Sequence, residues 1–186
     1  MRISGGIHRS RVLGAPRGAH TRPTSDRVRE ALFSMLASRG ALESAVVLDL
    51  YAGTGALGLE ALSRGAARAT FVESDRRALE ALGQNIAALR EGHRARVVPL
   101  PVSRALPRLA GESFTLVLCD PPYADVPSGA VNETLKLARP MLAASALVVL
   151  EHATRDPSPS LDGLSLTLTR SYGDTSIAFY EASPLE

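Results

Sequence analysis

Cysteine is nearly absent: Cys119 is the only one in 186 residues. One cysteine excludes an internal disulfide framework and a cysteine-based zinc cluster. It stands in the apolar run Phe114–Cys119, where it reads as a small buried hydrophobe. No apolar run approaches the ~20 residues needed to span a bilayer, so no membrane is expected as a partner. The first 30 residues are polar and basic and lack an apolar signal core, so cytoplasmic residence is the expectation. Four histidines, His8, His20, His93 and His152, are scattered without an H-x-x-x-H spacing, and no metal site is expected. No Ser-His-Asp or Cys-His arrangement is suggested either.

Lysine is almost missing too, with Lys136 alone against 20 arginines, a ratio that compositional bias explains. Bias does not explain where the arginines stand. Residues 1–39 carry eight of them against Asp26 and Glu30, a net charge of +6. The remaining 147 residues hold 13 basic and 17 acidic groups, a net of −4. A basic N-terminal arm before a mildly acidic body points to a nucleic-acid contact on the arm. The length suits one domain with an appendage, and a chain of this size buries roughly 70% of its unfolded surface. The charge divides it into residues 1–40, a basic hairpin and helix expected as the nucleic-acid-binding arm, and residues 41–186, the body. No long apolar surface run asks for a partner copy, so a monomer is expected.

Hydrophobic spacing organises the body. Residues 1–20 read as a small hairpin around Gly5-Gly6, and Thr24 or Ser25 can cap the helix that follows. From residue 45 strands and helices alternate: strands at 45–50, 69–72, 96–98, 114–119 and 146–150, helices at 57–64, 76–90 and 129–142. Two further strands, 164–169 and 176–180, flank Tyr172-Gly173. Strands apolar on both faces, alternating with amphipathic helices, predict an α/β fold with a parallel sheet covered on both sides.

Asp49-Leu50-Tyr51-Ala52-Gly53-Thr54-Gly55-Ala56-Leu57-Gly58 joins the first strand to a helix. Gly53, Gly55 and Gly58 satisfy G-x-G-x-x-G, where glycines permit a tight turn and close approach of a ligand. Glu73 closes the second strand 20 residues after Gly53, where a carboxylate accepts hydrogen bonds from ribose hydroxyls. Asp49 would face a pyrophosphate badly and suits a cationic ligand. S-adenosylmethionine has a sulfonium, an amino group and no phosphate, so the loop points to methyl transfer and away from hydride transfer. The cofactor-binding candidates are Asp49, Ala52, Gly53, Thr54, Gly55, Leu57, Glu73 and Ser74.

Asp120-Pro121-Pro122-Tyr123 follows the fourth strand, on the same rim of the sheet. The prolines stiffen the loop. The Asp120 carboxylate and the Pro121 carbonyl are two acceptors for the hydrogens of an exocyclic amine, and Tyr123 can stack on the base. A base in a duplex or folded RNA must turn out to reach such a pocket.

The blocks Thr21-Arg22-Pro23-Thr24-Ser25-Asp26-Arg27-Val28-Arg29-Glu30-Ala31-Leu32-Phe33, LDLYAGTGALGLEALSRG at 48–65, Phe71-Val72-Glu73-Ser74-Asp75 and the DPPY at 120–123 together resemble the RsmD family. The first block is the family-specific part; AGTG and DPPY are shared with many amino-methyltransferases. The resemblance implies a Rossmann-like class I methyltransferase with a mostly parallel seven-stranded sheet, helices on both faces and a small N-terminal β-hairpin arm. It implies S-adenosylmethionine as cofactor and N2 of a guanine in 16S ribosomal RNA as target, within a partly or fully assembled small subunit. It places the cofactor on Gly53, Thr54, Gly55 and Glu73, and the target amine on Asp120, Pro121, Pro122 and Tyr123. One departure is the absence of an acid in Val98-Pro99-Leu100-Pro101-Val102-Ser103, where similar enzymes often contact the adenine.

Arg9, Arg11, Arg22 and Arg27 are the expected phosphate contacts. Three other readings stay open: a DNA adenine or cytosine amino-methyltransferase, a catalytically silent RNA-binding assembly factor, and a nucleotide-dependent dehydrogenase. The short arm counts against the first, the DPPY motif against the second, and Asp49 with DPPY against the third.

Overall fold

Two-residue alternation builds the centre of the molecule, a computed structural model that describes residues 1–15 and 26–183. In β1 (Val46–Leu50), Val47 packs to one side of the sheet, and Leu48 and Leu50 to the other. The same alternation runs through β2 (Arg68–Glu73), β4 (Phe114–Cys119) and β5 (Leu142–Ala153), so both faces are apolar and both must be covered. With β3 (Ala95–Pro99), β6 (Leu164–Tyr172) and β7 (Thr175–Ala182), the order is β3-β2-β1-β4-β5-β7-β6. The pairs among β1 to β5 are parallel, and β7 runs antiparallel to both β5 and β6. The sheet is therefore mixed.

Helices α1 (Asp26–Ser38), α2 (Ala56–Ser63) and α3 (Arg76–Leu89) cover one face, with Leu32, Phe33, Leu36, Leu59, Leu62, Leu82 and Ile86 in its core. The short α4 (Val102–Ala105) and α5 (Ala130–Ala138) cover the other, through Val102, Val131 and Leu135. Among the described residues no helix is long and apolar enough to cross a membrane.

Two predicted boundaries shift and one short helix is not predicted, each for a local reason. The helix expected over 129–142 stops at Ala138 and tightens into a 3₁₀ turn at Arg139–Met141, because Pro140 cannot continue the helical hydrogen bonds. Strand β5 starts four residues earlier than the apolar run at 146, through the weak strand formers Ala143, Ala144 and Ser145, and Ser145 is left-handed at φ +59°. A register shift between Phe114 and Leu116 accommodates that start. Helix α4 is a single turn between prolines and leaves no periodicity to read. The caps expected at Thr24 or Ser25 lie outside the described residues.

The N-terminal segment folds back on itself. Ile3 donates its amide to Arg11, Leu13 donates to Met1, and Arg2 bridges Val12 in antiparallel fashion. Its tip is a 3₁₀ turn over Gly6–His8, longer than the Gly5-Gly6 bend the sequence suggests. Ile3 and Leu13 are buried in the same core as α1 to α3. Polar contacts fix the rest. Glu60 of α2 is fully buried and accepts from Ser4 N at 2.8 Å, Ser4 Oγ at 2.8 Å, Gly5 N at 2.9 Å and Arg64 Nε at 2.7 Å. Arg29 of α1, also buried, stands 3.5 Å from the same carboxylate. Removing one partner of a buried ionic cluster typically costs about 3–5 kcal/mol, because the others stay buried and uncompensated. Glu60→Ala is therefore expected to lose stability on that scale in urea denaturation, and Glu60→Gln, which keeps one acceptor oxygen, less. Equal stability of Glu60→Ala and wild type would show that the cluster contributes nothing.

Candidate active site

Side-chain alternation brings four acids to one side of one rim. Val47, Phe71, Leu118 and Val149 face α1 to α3, so Asp49, Glu73, Asp120 and Glu151, each two residues on, face the same way. They stand at or just beyond the carboxyl ends of β1, β2, β4 and β5, where open α/β sheets hold ligands. A cavity of about 630 Å³ opens there, within the range of small-molecule sites. All four acids line it.

The glycine loop forms one wall. Gly53 is left-handed at φ +56°, and a β-carbon added there would meet nothing closer than the Tyr51 carbonyl at 4.0 Å. Its backbone thus lies open to a ligand. Its amide donates to Glu73 Oε2 at 2.7 Å, while Glu73 Oε1 accepts from Ser74 N and Asp75 N at 2.7 Å each. Gly58 serves packing: a β-carbon there would meet Phe71 at 2.3 Å and Asp49 Oδ2 at 2.9 Å. Its amide donates to that same Asp49 oxygen at 2.9 Å and ties the end of β1 to α2. Of the expected cofactor residues, Asp49, Ala52, Gly53, Thr54, Leu57, Glu73 and Ser74 line the cavity. Gly55 is the left-handed N-cap of α2 and does not.

The DPPY loop forms the opposite wall, and Asp120, Pro121, Pro122 and Tyr123 all line the cavity. Pro121 is buried and Tyr123 half-buried, its hydroxyl 2.9 Å from Thr175 Oγ1 at the start of β7. That bond holds the loop to the sheet while the ring stays at the cavity.

Of the residues that motif reading missed, four shape the site by charge, hydrogen bonding or packing. Arg29 lines the cavity although only 1% exposed, donating to Asp26 Oδ1 at 2.9 Å and to the Arg2 carbonyl. Asn85 of α3 donates to the Thr54 carbonyl at 3.0 Å and exchanges hydrogen bonds with Gly14, joining glycine loop to N-terminal segment. Ala78 adds apolar wall beside Leu57. Glu151 is the fourth; it had a sequence signal, since it directly ends an apolar strand, as Glu73 and Asp120 do.

Three of the expected RNA contacts, Arg9, Arg11 and Arg27, do not line this cavity. Arg9, Arg11 and Arg27 are exposed, and Arg11 Nη2 donates to the Ala88 carbonyl at 2.8 Å. Arg22 lies outside the described residues. No group of three metal-binding side chains occurs among the described residues.

The family described as conserved hypothetical protein 95 matches residues 1–181. Ribosomal RNA small subunit methyltransferase D of Escherichia coli K12 is 42% identical over 165 residues, 87% of this chain and 79% of that one. This chain belongs to the RsmD family. A solved structure of a hypothetical protein from Thermus thermophilus superposes with a TM-score of 0.83 at 38% identity, covering 98% of this chain and 99% of that one. Magnesium protoporphyrin IX methyltransferase from Synechocystis PCC 6803, solved with bound SAM, shares the fold at a TM-score of 0.66 and 15% identity, over 84% of this chain and 79% of that one. By its family this chain is a methyltransferase.

Asp49 makes one property of this site measurable. Burial, first, and then the Glu73 charge push its carboxyl from 3.8 up to about 8, against the opposing pull of the Gly58 amide. The unfolded chain loses this proton near pH 4 and the folded one near pH 8. Its contribution to stability is therefore full below about pH 4 and is lost as pH rises through about 8. Melting curves of the unliganded protein should show wild type falling relative to Asp49→Asn between about pH 5 and 8. Parallel profiles would mean that Asp49 is ionised throughout.

Proposed function

We propose that this protein transfers a methyl group from S-adenosylmethionine to the exocyclic N2 amine of a guanine in 16S ribosomal RNA. The observation that carries the reading is the convergence of the glycine loop, Glu73 and the DPPY loop on one cavity. The name of the Escherichia coli relative supports RNA of the small subunit as substrate. The same reading has the protein work as a cytoplasmic monomer on a partly or fully assembled subunit.

The residues fit the cofactor. The open backbone at Gly53 admits a ligand, Glu73 at the end of β2 offers ribose hydroxyls an acceptor, and Leu57 and Ala78 offer apolar wall. The buried Asp49 carboxyl favours a cation, whose approach draws it toward its ionised form. When bound, S-adenosylmethionine supplies an electrophilic methyl group on a positively charged sulfur.

The chain's own groups orient the acceptor. A guanine amine is a poor nucleophile because its lone pair is delocalised into the ring. Asp120 and the Pro121 carbonyl accept its two hydrogens and turn the lone pair toward the methyl carbon. As the nitrogen–carbon bond forms and the carbon–sulfur bond breaks, sulfur takes the electron pair and the nitrogen becomes positive. Asp120 stabilises that charge in place. The proton then leaves to solvent, because alkylation makes the nitrogen strongly acidic. Tyr123 holds the base by stacking, its ring fixed through Thr175.

Labelled S-adenosylmethionine offered with small subunits, naked small-subunit RNA and DNA tests the proposal. The label is expected as N2-methylguanosine in RNA; label in DNA, or none in any substrate, overturns it. Asp120→Ala should lose about 10²–10³-fold in turnover, the scale for removing one preorganised electrostatic partner, with cofactor affinity near wild type. Asp120→Asn keeps an acceptor oxygen and should retain measurably more. Wild-type rates in both variants would make Asp120 structural.

The N-terminal segment is proposed as the RNA-binding arm. Replacing exposed Arg9 and Arg27 by Ala should lower the salt slope of RNA binding by about two, at ~0.9 or less per lost phosphate contact, and leave cofactor affinity unchanged. An unaltered slope would put the RNA contact elsewhere.

A further inference from the structure

Glu151 is the one acid of the rim that neither cofactor binding nor methyl transfer has used. Leu147 and Val149 of β5 pack against the α1 to α3 face, and Val148 and Leu150 against the other, so alternation sends Glu151 to the α1 to α3 face. Strands β4 and β5 are parallel and pair Cys119 with Leu150. The next residues, Asp120 and Glu151, therefore stand side by side on the same face. Both line the cavity. Glu151 is only 6% exposed and β7 covers its backbone, where it pairs with Ile177. A carboxylate has about four acceptor positions, so a contact within the fold leaves capacity for a ligand.

Base chemistry gives this second acceptor a use. Guanine carries two donors in a row on its pairing edge, the N2 amine and the adjacent N1–H. Adenine and cytosine instead place a bare ring nitrogen, with its lone pair, beside the amine. Strand β4 has two neighbours at this rim, β1 with Asp49 and β5 with Glu151; with the cofactor on the β1 side, an amine held by Asp120 and Pro121 turns the next ring position toward β5 and Glu151. A carboxylate there accepts N1–H from guanine and meets a repelling lone pair in adenine or cytosine.

We propose that Glu151 reads N1–H of the target base and makes the site selective for guanine among amine-bearing bases. The inference rests on the guanine-amine reading above. It makes Glu151 a specificity-determining residue. A site built to hydrogen-bond a group rejects analogues that leave its buried acceptor unpaired.

The test needs a base that keeps the 2-amine and loses N1–H, and 2,6-diaminopurine is such a base. The guanine that wild-type protein methylates is first mapped by mass spectrometry in small subunits lacking that methyl group. Splint-ligated RNA, assembled into subunits, then carries guanosine or 2,6-diaminopurine riboside at that position. Wild type is expected to favour guanine by about 10–100-fold in kcat/KM. Glu151→Gln presents an amide whose N–H can donate to the bare N1. Its preference should narrow by about tenfold or more, with S-adenosylmethionine affinity unchanged by calorimetry. A purely structural Glu151 would lower both rates together and leave their ratio alone. Wild type using both bases within about threefold, or a Glu151→Gln variant with the wild-type ratio, overturns the proposal. If Glu151→Gln does not fold, Glu151→Ala is measured in its place; it removes the acceptor, and its preference should narrow in the same way. A wild-type protein that places no methyl on any guanine N2 overturns the underlying reading as well, and the mapping step reveals that before the analogue is used.

Discussion

The carboxylate of Glu60 fastens the N-terminal segment and α1 to α2. It sits one turn into the helix that follows the glycine loop, fully buried, and gathers donors from three separate stretches of chain. Ser4 and Gly5 bring the N-terminal segment, Arg29 brings α1, and Arg64 comes from the end of α2 itself. A buried carboxylate is tolerable only with such a shell, because its desolvation otherwise outweighs what it contributes. The dependence runs both ways. The amides of Ser4 and Gly5 have no strand partner, so they too require the acid. Arg29 carries this cluster into the cavity wall, which links the position of the N-terminal segment to the shape of the site.

The rest of the site follows from a period of two. Four neighbouring strands reach the same rim, and in each an acid stands two residues beyond a core side chain of the same face. Backbone amides, not cations, hold two of them in the described contacts. Asp49 accepts from Gly58, and Glu73 from Gly53, Ser74 and Asp75. Amide donors orient a carboxyl group and leave its remaining acceptor positions open to a ligand. Glu73 is the clasp that shapes the loop at Gly53, and under the proposed function the same acid is the ribose acceptor.

Much of this was legible in the sequence. The strands Phe114–Cys119 and Arg68–Glu73 announce themselves by apolar content on both faces, and the motifs at 49–58 and 120–123 by the conformations they demand. What escaped detection depended on contacts between distant stretches. Glu60 and Asn85 look like ordinary polar residues of amphipathic helices, and only the docked N-terminal segment gives them partners. The early start of β5 hid behind alanine and serine, which carry no strand signal without the neighbouring β4. Glu151 was legible in principle, by the rule that marks Glu73 and Asp120, but its register beside Asp120 is a property of the sheet alone.

Asn85 and Arg29 show how the N-terminal segment reaches both halves of the site. Asn85 bonds Gly14 with one end of its reach and the Thr54 carbonyl of the glycine loop with the other. Arg29 stands against Glu60, bonds Asp26 and the Arg2 carbonyl, and still faces the cavity. A planar guanidinium with five donors can meet such divergent acceptors, whereas a lysine ammonium on a flexible stem cannot fix them in one plane. Arginine abounds in this chain for compositional reasons, but at position 29 the geometry itself requires one. A displacement of the N-terminal segment would pull on Thr54 and on Arg29 together, so under the proposed function an RNA docked on that segment would bear on the glycine loop as well.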